Sequence, residues 1–206
     1  MHLTRTLSLS AAALVAAVSL TACSDDADEP KKSESSSQSS PAADTAAEQD
    51  PQAVADAANE WYTALINETL AAIEAEVTED DMADFAAFID EWYPETSAGV
   101  AWDTFASEVH AYAMLRSIVG LAMLSIGLVD DPAAEAASLL EEERVEASWI
   151  VFDGDVASVN EPDVAPEDTI PINLIERDGV WLIDGAVFDD AWFEEQGTTA
   201  EEALNN

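Results

Sequence analysis

The sequence LIERDGVWLID at residues 174–184 predicts a tight β-hairpin, and this hairpin decides the fold class. Asp178-Gly179 supplies a two-residue turn of the kind that antiparallel hairpins prefer, and the apolar residues on both sides favour strands. Upstream, Asp153-Gly154 predicts a second turn of the same kind. We therefore expect a four-stranded antiparallel meander formed by residues 144–152, 155–160, 169–177 and 180–184, with residues 161–168 as a loop.

Helix signals fill the sequence before this meander. Asp50-Pro51 and Asp131-Pro132 each combine an N-cap residue with a first-turn proline, which predicts that helices begin there, the second one running to Glu142. Thr78-x-x-Asp81 has the spacing of a capping box ahead of a helix through Trp92. Helices followed by a meander predict an α+β domain, and we expect no strand before residue 144.

One predicted helix, residues 102–129, changes character along its length. Its first half is amphipathic, whereas residues 117–129 are apolar on every side and carry no charge. A helix of that kind is either buried or in contact with a membrane, and thirteen residues are too few to span a bilayer. We expect a central core helix, with contact to lipid or a wall of an apolar ligand pocket as the alternatives.

The chain is strongly acidic, with 44 Asp or Glu against 6 Lys or Arg and a formal net charge of −38. Such a charge opposes binding to nucleic acid, which requires basic groups, and it opposes attachment to anionic lipid. Solubility is the simplest role of this charge. Weak, many-site binding of Ca²⁺ or of cationic partners and adaptation to a saline habitat are the alternatives, although the sequence has no calcium loop.

The single cysteine closes the motif Leu20-Thr21-Ala22-Cys23, at the end of an apolar segment that starts at Leu7. This segment is too short to span a bilayer and is typical of a secretory signal peptide. The motif resembles the lipobox of bacterial lipoproteins. The resemblance implies cleavage before Cys23, a diacylglyceryl group on its sulfur, and a location on the outer face of the cell membrane. An ordinary secretory signal that leaves a free thiol is the alternative.

Composition divides the chain into four parts. Residues 1–22 are the predicted signal peptide. Residues 23–50 comprise the lipidated cysteine and an acidic, Ser-rich tether, which lacks large apolar residues and is therefore expected to be disordered, with a reach of about 30 Å. Residues 51–195 form a single domain, and residues 196–206 are expected to be a frayed acidic tail.

The order of elements and the closing hairpin around Trp181 are similar to the NTF2-like (cone) superfamily, in which helices pack on a curved antiparallel sheet. The same ending is similar to that of actinobacterial NTF2-like and lumazine-binding-like lipoproteins. This resemblance implies a cone-shaped core, which in such folds can host an isomerase or dehydratase site. Members usually also place a strand among the early helices, and this sequence predicts none there.

His110 is the one histidine after the leader, and it is a weak candidate for catalysis together with Asp103. Both would share a face of the predicted helix with Ser107, where a carboxylate or hydroxyl could orient the imidazole as a base. The simpler interpretation is that they form the polar side of that helix. Zinc-ligand spacings and glycine-rich phosphate loops are absent from the sequence, so we expect no metal and no cofactor.

Tryptophans recur through the predicted domain and are expected in its core. Four of them are also candidates for lining a pocket: Trp61, Trp102, Trp149 and Trp181. The sequence thus predicts a non-catalytic binding or interaction domain at the cell envelope, with an apolar small molecule or an envelope protein as its partner. An accessory or structural protein without a pocket, and a small-molecule dehydratase or isomerase, are the alternatives.

Overall fold

The computed structural model describes residues 49–78, 80–162, 164 and 170–205. Over these residues the chain is α+β, with seven α-helices and one five-stranded mixed sheet. The helices are α1 (Pro51–Glu74), α2 (Phe85–Trp92), α3 (Pro94–Ala98), α4 (Glu108–Gly127), α5 (Pro132–Glu142), α6 (Asp190–Glu195) and α7 (Ala200–Asn205). The strands are β1 (Val100–Ala101), β2 (Ile150–Asp153), β3 (Val156–Val159), β4 (Asn173–Arg177) and β5 (Val180–Asp184).

Side-chain caps explain where α1 and α5 begin. The Asp50 carboxylate accepts a hydrogen bond from the Gln52 amide at 3.0 Å, and the Asp131 carboxylate accepts one from the Ala134 amide at 3.1 Å. Each cap satisfies an N–H group that has no partner within the helix, and a proline fills the first helical position in both. Both predicted helix starts are confirmed, as is the end of α5 at Glu142.

The predicted capping box at Thr78 makes a turn instead of a helix start. One oxygen of Asp81 accepts hydrogen bonds from the backbone N–H and the hydroxyl of Thr78, both at 2.7 Å. These two bonds lower the pKa of Asp81 below its usual range. The helix begins later, at Phe85, behind the cap residue Asp84. The spacing was right for a cap, but the bonds close a local loop before the apolar face of α2 begins.

The long helix predicted over residues 102–129 is shorter at both ends. Residues 102–104 form a 3-10 turn, and α4 runs from Glu108 to Gly127. Just before the turn, β1 pairs in parallel with β5 through Val100↔Ile183. The expectation of no strand before residue 144 is therefore wrong. A two-residue strand has no periodicity to detect, and its partner lies about 80 residues further along the chain.

Strands β2 to β5 follow one another in antiparallel pairs, and β1 extends them into a mixed sheet of order β1-β5-β4-β3-β2. The predicted turn Asp178-Gly179 is confirmed, and both residues have positive φ, at 52° and 83°. That combination suits a type I′ hairpin, whose twist matches the twist of the strands.

Two details of the first hairpin differ from the expectation. Strand β2 begins at Ile150 instead of residue 144, because residues 147–149 form a 3-10 turn. The turn residues are Gly154-Asp155 and not Asp153-Gly154, since Asp153 pairs with Val156. Gly154 has a φ of 62° and takes the first central position, where a type II′ turn favours glycine.

A single row of side chains crosses all five strands on the face that meets the helices. Pairing places Phe152, Ala157, Leu174, Ile183 and Val100 side by side, and the last four are almost fully buried. Helix α1 contacts both β5 and β2, and it also contacts α4. The main core therefore lies between the sheet and the helices, and it is filled by their side chains.

A second, smaller core lies away from the sheet. It consists of Ile66 from α1, Ala122 and Ile126 from α4, and Ala136 and Leu139 from α5. The three helices bury these residues against one another. This small core determines which side of the apolar half of α4 is covered.

The end of the described chain is ordered into a helix, contrary to the expected frayed tail. Helix α7 packs against α4, and its first residue, Ala200, is buried. Thr199 and Glu202 form a reciprocal capping box, with 3.2 Å bonds in both directions between backbone N–H groups and side-chain oxygens. This Thr-x-x-Glu spacing was readable in the sequence as a helix start.

Candidate functional site

The largest run of exposed apolar side chains lies at the C-terminal end of α4. Leu121, Leu124, Leu128 and Val129 are 41, 60, 79 and 37% exposed, and we call these four residues the α4 strip. The three leucines follow the spacing i, i+3 and i+7, so that they project from one side of the helix. Single exposed apolar residues are common, but contiguous ones on one helix face mark an interaction surface.

The opposite side of the same helical segment is buried. Val119, Ala122 and Ile126 are at most 8% exposed, and the last two belong to the small core with α1 and α5. The prediction of a central core helix is therefore correct for one side only. On the other side, Leu121, Leu124 and Leu128 stay exposed within the part of the chain that the structure describes.

By length and composition alone, α4 would also be able to cross a membrane, and no other helix in the described part of the chain meets that test. About a third of its most apolar stretch is buried inside the domain. Within the described fold it packs against α1, α2, α5 and α7, as a core helix of a globular domain does.

Open clefts on the described surface include two that lie outside the core between sheet and helices. One, of about 610 Å³, lies between α1 and the α2–α3 segment. Glu68 lines this cleft, and its two carboxylate oxygens accept hydrogen bonds from the Glu95 amide at 3.0 Å and the Thr96 hydroxyl at 2.7 Å. This carboxylate fastens α3 to α1, which gives the cleft wall a structural role.

The other cleft, of about 560 Å³, lies beside the two hairpin turns. Gln49 lines it and donates a hydrogen bond to the Gly154 carbonyl at 2.8 Å. Arg177 and the half-buried Trp181 also line it. The cleft marks the place where the chain enters the described domain, next to the first turn of α1.

His110 joins two segments that are distant in the sequence. Its Nδ1 lies 2.8 Å from the Ser107 hydroxyl, and its Nε2 lies 2.9 Å from a carboxylate oxygen of Asp190 at the start of α6. The imidazole side chain is 12% exposed, whereas Asp190 is 89% exposed. The ring also packs edge-on against Phe193. Sequence reasoning missed Asp190, and no local pattern marks it, because the two residues are 80 positions apart.

The predicted grouping of Asp103 with His110 is wrong, because Asp103 precedes α4 and lies in the 3-10 turn. Its carboxylate instead pairs with Arg177 at 3.4 Å, between two well-exposed side chains. The Ser107, His110 and Asp190 contacts have the chemical types of a hydrolytic triad. They line neither of the two clefts described above. Their simplest effect is to fasten α6 to the start of α4.

The four tryptophans proposed as core or pocket residues are dispersed in the structure. Trp61 is buried and donates its indole N–H to the Thr96 carbonyl at 3.1 Å. Trp149 and Trp181 are half-buried, and the latter packs against Phe152. Trp102 is exposed at 37% and stacks beside Tyr112, so that its assignment to the core is wrong. These four residues do not converge on one pocket.

An aromatic cluster fills the space beside the first half of α4. Phe85 meets Tyr112 of α4 edge-on at 6.4 Å, and Phe88 lies 5.6 Å from Phe85 and 5.5 Å from Tyr93. The buried Tyr93 hydroxyl donates to the Thr69 hydroxyl at 3.1 Å. Burial raises the pKa of Tyr93 to about 12. The pKa of Tyr112 is raised for the same reason, and by nearby carboxylates.

No group of three or more His, Cys, Asp or Glu side chains that could hold a metal ion occurs among the described residues. The lipobox residues Leu20, Thr21, Ala22 and Cys23 lie outside the described part of the chain. No protein-family model, curated protein or solved structure matches this chain.

Proposed function

We propose that this chain is a lipoprotein held on the outer face of the cell membrane by a diacylglyceryl group on Cys23. The proposal is supported by the apolar leader and the lipobox-like motif, and by the acidic, Ser-rich sequence that follows it. Two acyl chains anchor a protein far more firmly than one, so a single modified cysteine is sufficient. The acidic body is repelled by anionic lipid and stays in solution above the membrane.

We further propose that the folded domain is a non-catalytic interaction module that binds a partner protein of the envelope. The observation that carries this proposal is the α4 strip, where four large apolar side chains are exposed within nine residues on a surface otherwise rich in carboxylates. An apolar small molecule inside the core is less well supported, because side chains occupy the space between sheet and helices.

The finer fold assignment is part of the same proposal. The order of α1–α3, then β1, then α4 and α5, and then the antiparallel β2–β5 is consistent with an NTF2-like cone. The short strand β1 supports the assignment, because members of that superfamily usually place a strand among the early helices. An accessory role without a pocket agrees with the filled core as well, but it gives no reason for the exposed leucines.

The anchor is tested by comparing the wild-type chain with Cys23→Ser in the producing cell. We expect the wild type in the membrane fraction, with an N-terminal mass that includes a diacylglyceryl group on residue 23. The variant should move to the soluble extracytoplasmic fraction. Retention of the variant in the membrane, or an unmodified sulfhydryl in the wild type, would refute the anchor.

The interaction surface is tested by site-specific photo-crosslinking in the same cells. A photo-reactive residue at Leu124 should give a discrete crosslinked protein species on illumination. The matched control places the same residue at Val180, which is 57% exposed on β5. The species should also disappear from the Leu124 position when Leu128→Ser is added. Equal crosslinking at both positions, or none at Leu124, would contradict an interaction surface on α4.

A further inference from the structure

The end of the α4 strip is a place where negative charge accumulates. Helices α1 and α4 end side by side, since a Cβ added at Gly127 would lie 3.6 Å from Ile73. Four carboxylates follow these two helix ends closely in the sequence, and we call them the acidic corner: Glu74, Glu76, Asp130 and Asp131. All four are exposed.

The two helix ends add to this charge. The C-terminus of a helix has a partial negative charge from its last carbonyl groups, and basic residues in the last turn usually offset it. Neither α1 nor α4 has a basic residue in its last turn. Asp131 also caps the N-terminus of α5 and is partly offset by the positive end of that helix dipole. The other three carboxylates and the two helix C-termini leave an excess of negative charge at this end of the domain.

Basic residues of the domain lie elsewhere. The sequence between residues 49 and 205 contains three Arg and no Lys. Arg116 covers the Phe85 ring and is twelve residues before Leu128, or about 18 Å along the helix. Arg177 pairs with Asp103. Arg144 precedes Val145, whose backbone binds Asn59 near the middle of α1.

The shape of the strip suits another helix. Residues 120, 124 and 128 form a ridge at i, i+4 and i+8, and packed helices set such ridges into the grooves of a partner. The ridge is lowered at its first position, because a Cβ placed on Gly120 would meet nothing within 4 Å. A large apolar side chain of a partner helix would fill that hollow next to Leu121 and Leu124.

We propose that the α4 strip and the acidic corner bind a basic amphipathic helix of a partner protein. The apolar face of that helix would cover the leucines, and its Lys or Arg residues would meet the carboxylates and the two helix ends. This proposal rests on the proposed function and specifies the chemistry of the partner. A second copy of this chain, or an anionic bilayer, would place further negative charge at the corner, so that both are disfavoured.

The geometry of the domain agrees with a partner that approaches from outside. The first described residue, Gln49, is bound next to the start of α1. The α4 strip lies near the end of α1, and a 24-residue helix is about 36 Å long. The end of α1 from which the chain leads back to Cys23 is therefore opposite the end that bears the leucines.

The test uses the processed chain, residues 23–206 with Cys23→Ser, and a fluorescent 18-residue synthetic helix with Leu on one face and Lys on the other. Fluorescence anisotropy should show saturable binding with one peptide per chain. A peptide of the same composition in scrambled order should bind at least tenfold more weakly. Equal binding of the two peptides would mean unspecific attraction of a polycation and would overturn the proposal.

Two pairs of variants separate the apolar and the charged contributions. Leu124→Ser with Leu128→Ser should weaken binding at least tenfold, whereas Val151→Ser with Val180→Ser, which removes two exposed apolar side chains from the sheet, should leave it unchanged. Neutralising the acidic corner by Asn and Gln should reduce both affinity and salt dependence. Neutralising four carboxylates at the hairpin turns should have a much smaller effect, and these are Asp153, Asp155, Glu176 and Asp178.

A different occupant of the α4 strip would be recognised by two further measurements. A dimer in light scattering that is lost with the Leu→Ser pair would assign the strip to a second copy. Flotation with phosphatidylglycerol vesicles that requires the same leucines would assign it to lipid. Either result overturns the inference. If crosslinking at Leu124 in cells persists while the basic peptide does not bind, the partner chemistry is wrong and the interaction surface stands.

Discussion

The two halves of α4 differ in composition and in burial. The half that contains charged residues is the more deeply buried, and the half without charge leaves apolar side chains exposed. The first half contains Glu108, His110 and Arg116, yet its apolar side is sealed against the main core, with Ala111, Met114 and others fully buried. The second half has no charged residue and leaves its leucines exposed. Hydrophobicity therefore did not decide which half is covered. The sides of α4 that the rest of the domain covers decided it.

The largest loss of stability is expected when apolar volume is removed from the first half of α4. Leu115 is fully buried, and Leu115→Ala should lower the free energy of unfolding by about 2–5 kcal/mol, from the lost transfer energy and the cavity left behind. Urea unfolding followed by tryptophan fluorescence measures the change. A loss below about 1 kcal/mol would mean that the first half is not part of a tightly packed core.

The buried Tyr93, which belongs to the aromatic cluster beside the first half of α4, should also make the domain less stable at high pH. Burial raises the pKa of Tyr93 to about 12 from a usual value of 10, so the unfolded chain releases that proton first. The contribution of the protonated Tyr93 to the free energy of unfolding is fully present below pH 10 and is lost as the pH rises toward 12. The slope is at most about 1.4 kcal/mol per pH unit.

The control for this effect is Tyr93→Phe, which removes the ionisable group but keeps the ring. Its free energy of unfolding should fall less steeply between pH 10 and 12 than that of the wild type. At pH 7 the variant should lose about 0.5–1.5 kcal/mol, because the hydroxyl no longer bonds Thr69. Identical pH slopes for the two proteins would show that Tyr93 does not resist ionisation in the folded state.

A substitution in the second half should have the opposite sign. Gly120 lies within α4, and a methyl group at that position meets open space. Gly120→Ala should therefore raise the free energy of unfolding by about 0.5–1 kcal/mol, since alanine loses less backbone entropy in a helix. Gly185→Ala is the contrasting control, because its added Cβ would clash with the Phe105 ring. That variant should be destabilised.

The smallest effect on stability is expected on the α4 strip itself. Leu124→Ser with Leu128→Ser should change the free energy of unfolding by no more than about 0.5–1 kcal/mol, mainly through helix propensity. The same pair should weaken partner binding at least tenfold. A loss of several kcal/mol would indicate that these leucines are packed inside the domain and that the two halves of α4 do not differ.

The sequence predicted the parts of the fold that depend on neighbouring residues. The caps at Asp50 and Asp131 and the turn at Asp178-Gly179 form through contacts within four residues. The Thr78 spacing failed because a cap pattern specifies local bonds and does not require a helix to follow. Near Gly154 the sequence correctly predicted a two-residue turn, because turn preferences are local. Its position was predicted one residue too early, because strand pairing determines the register.

The candidate site was predicted only in part. The absence of charge from residues 117–129 identified the segment as unusual, and the leucine spacing was visible there. Which side would be exposed depended on Ile66, Ala136 and Leu139, which belong to two other helices. Likewise, His110 was recognised as a candidate, while its partner Asp190 came from a helix 80 residues away.

By itself, the sequence determined the α+β class, the starts of α1 and α5, the turn at Asp178-Gly179 and the acidity of this protein, because caps, turns and charge act over a few residues or are sums over the chain. Tertiary structure alone decided that β1 joins the sheet beside β5, that α7 closes onto α4, and that one side of the most apolar helix stays in contact with solvent. The physical reason is the same in each case. Burial requires a second surface, and the position of that surface is set by residues far away in the chain.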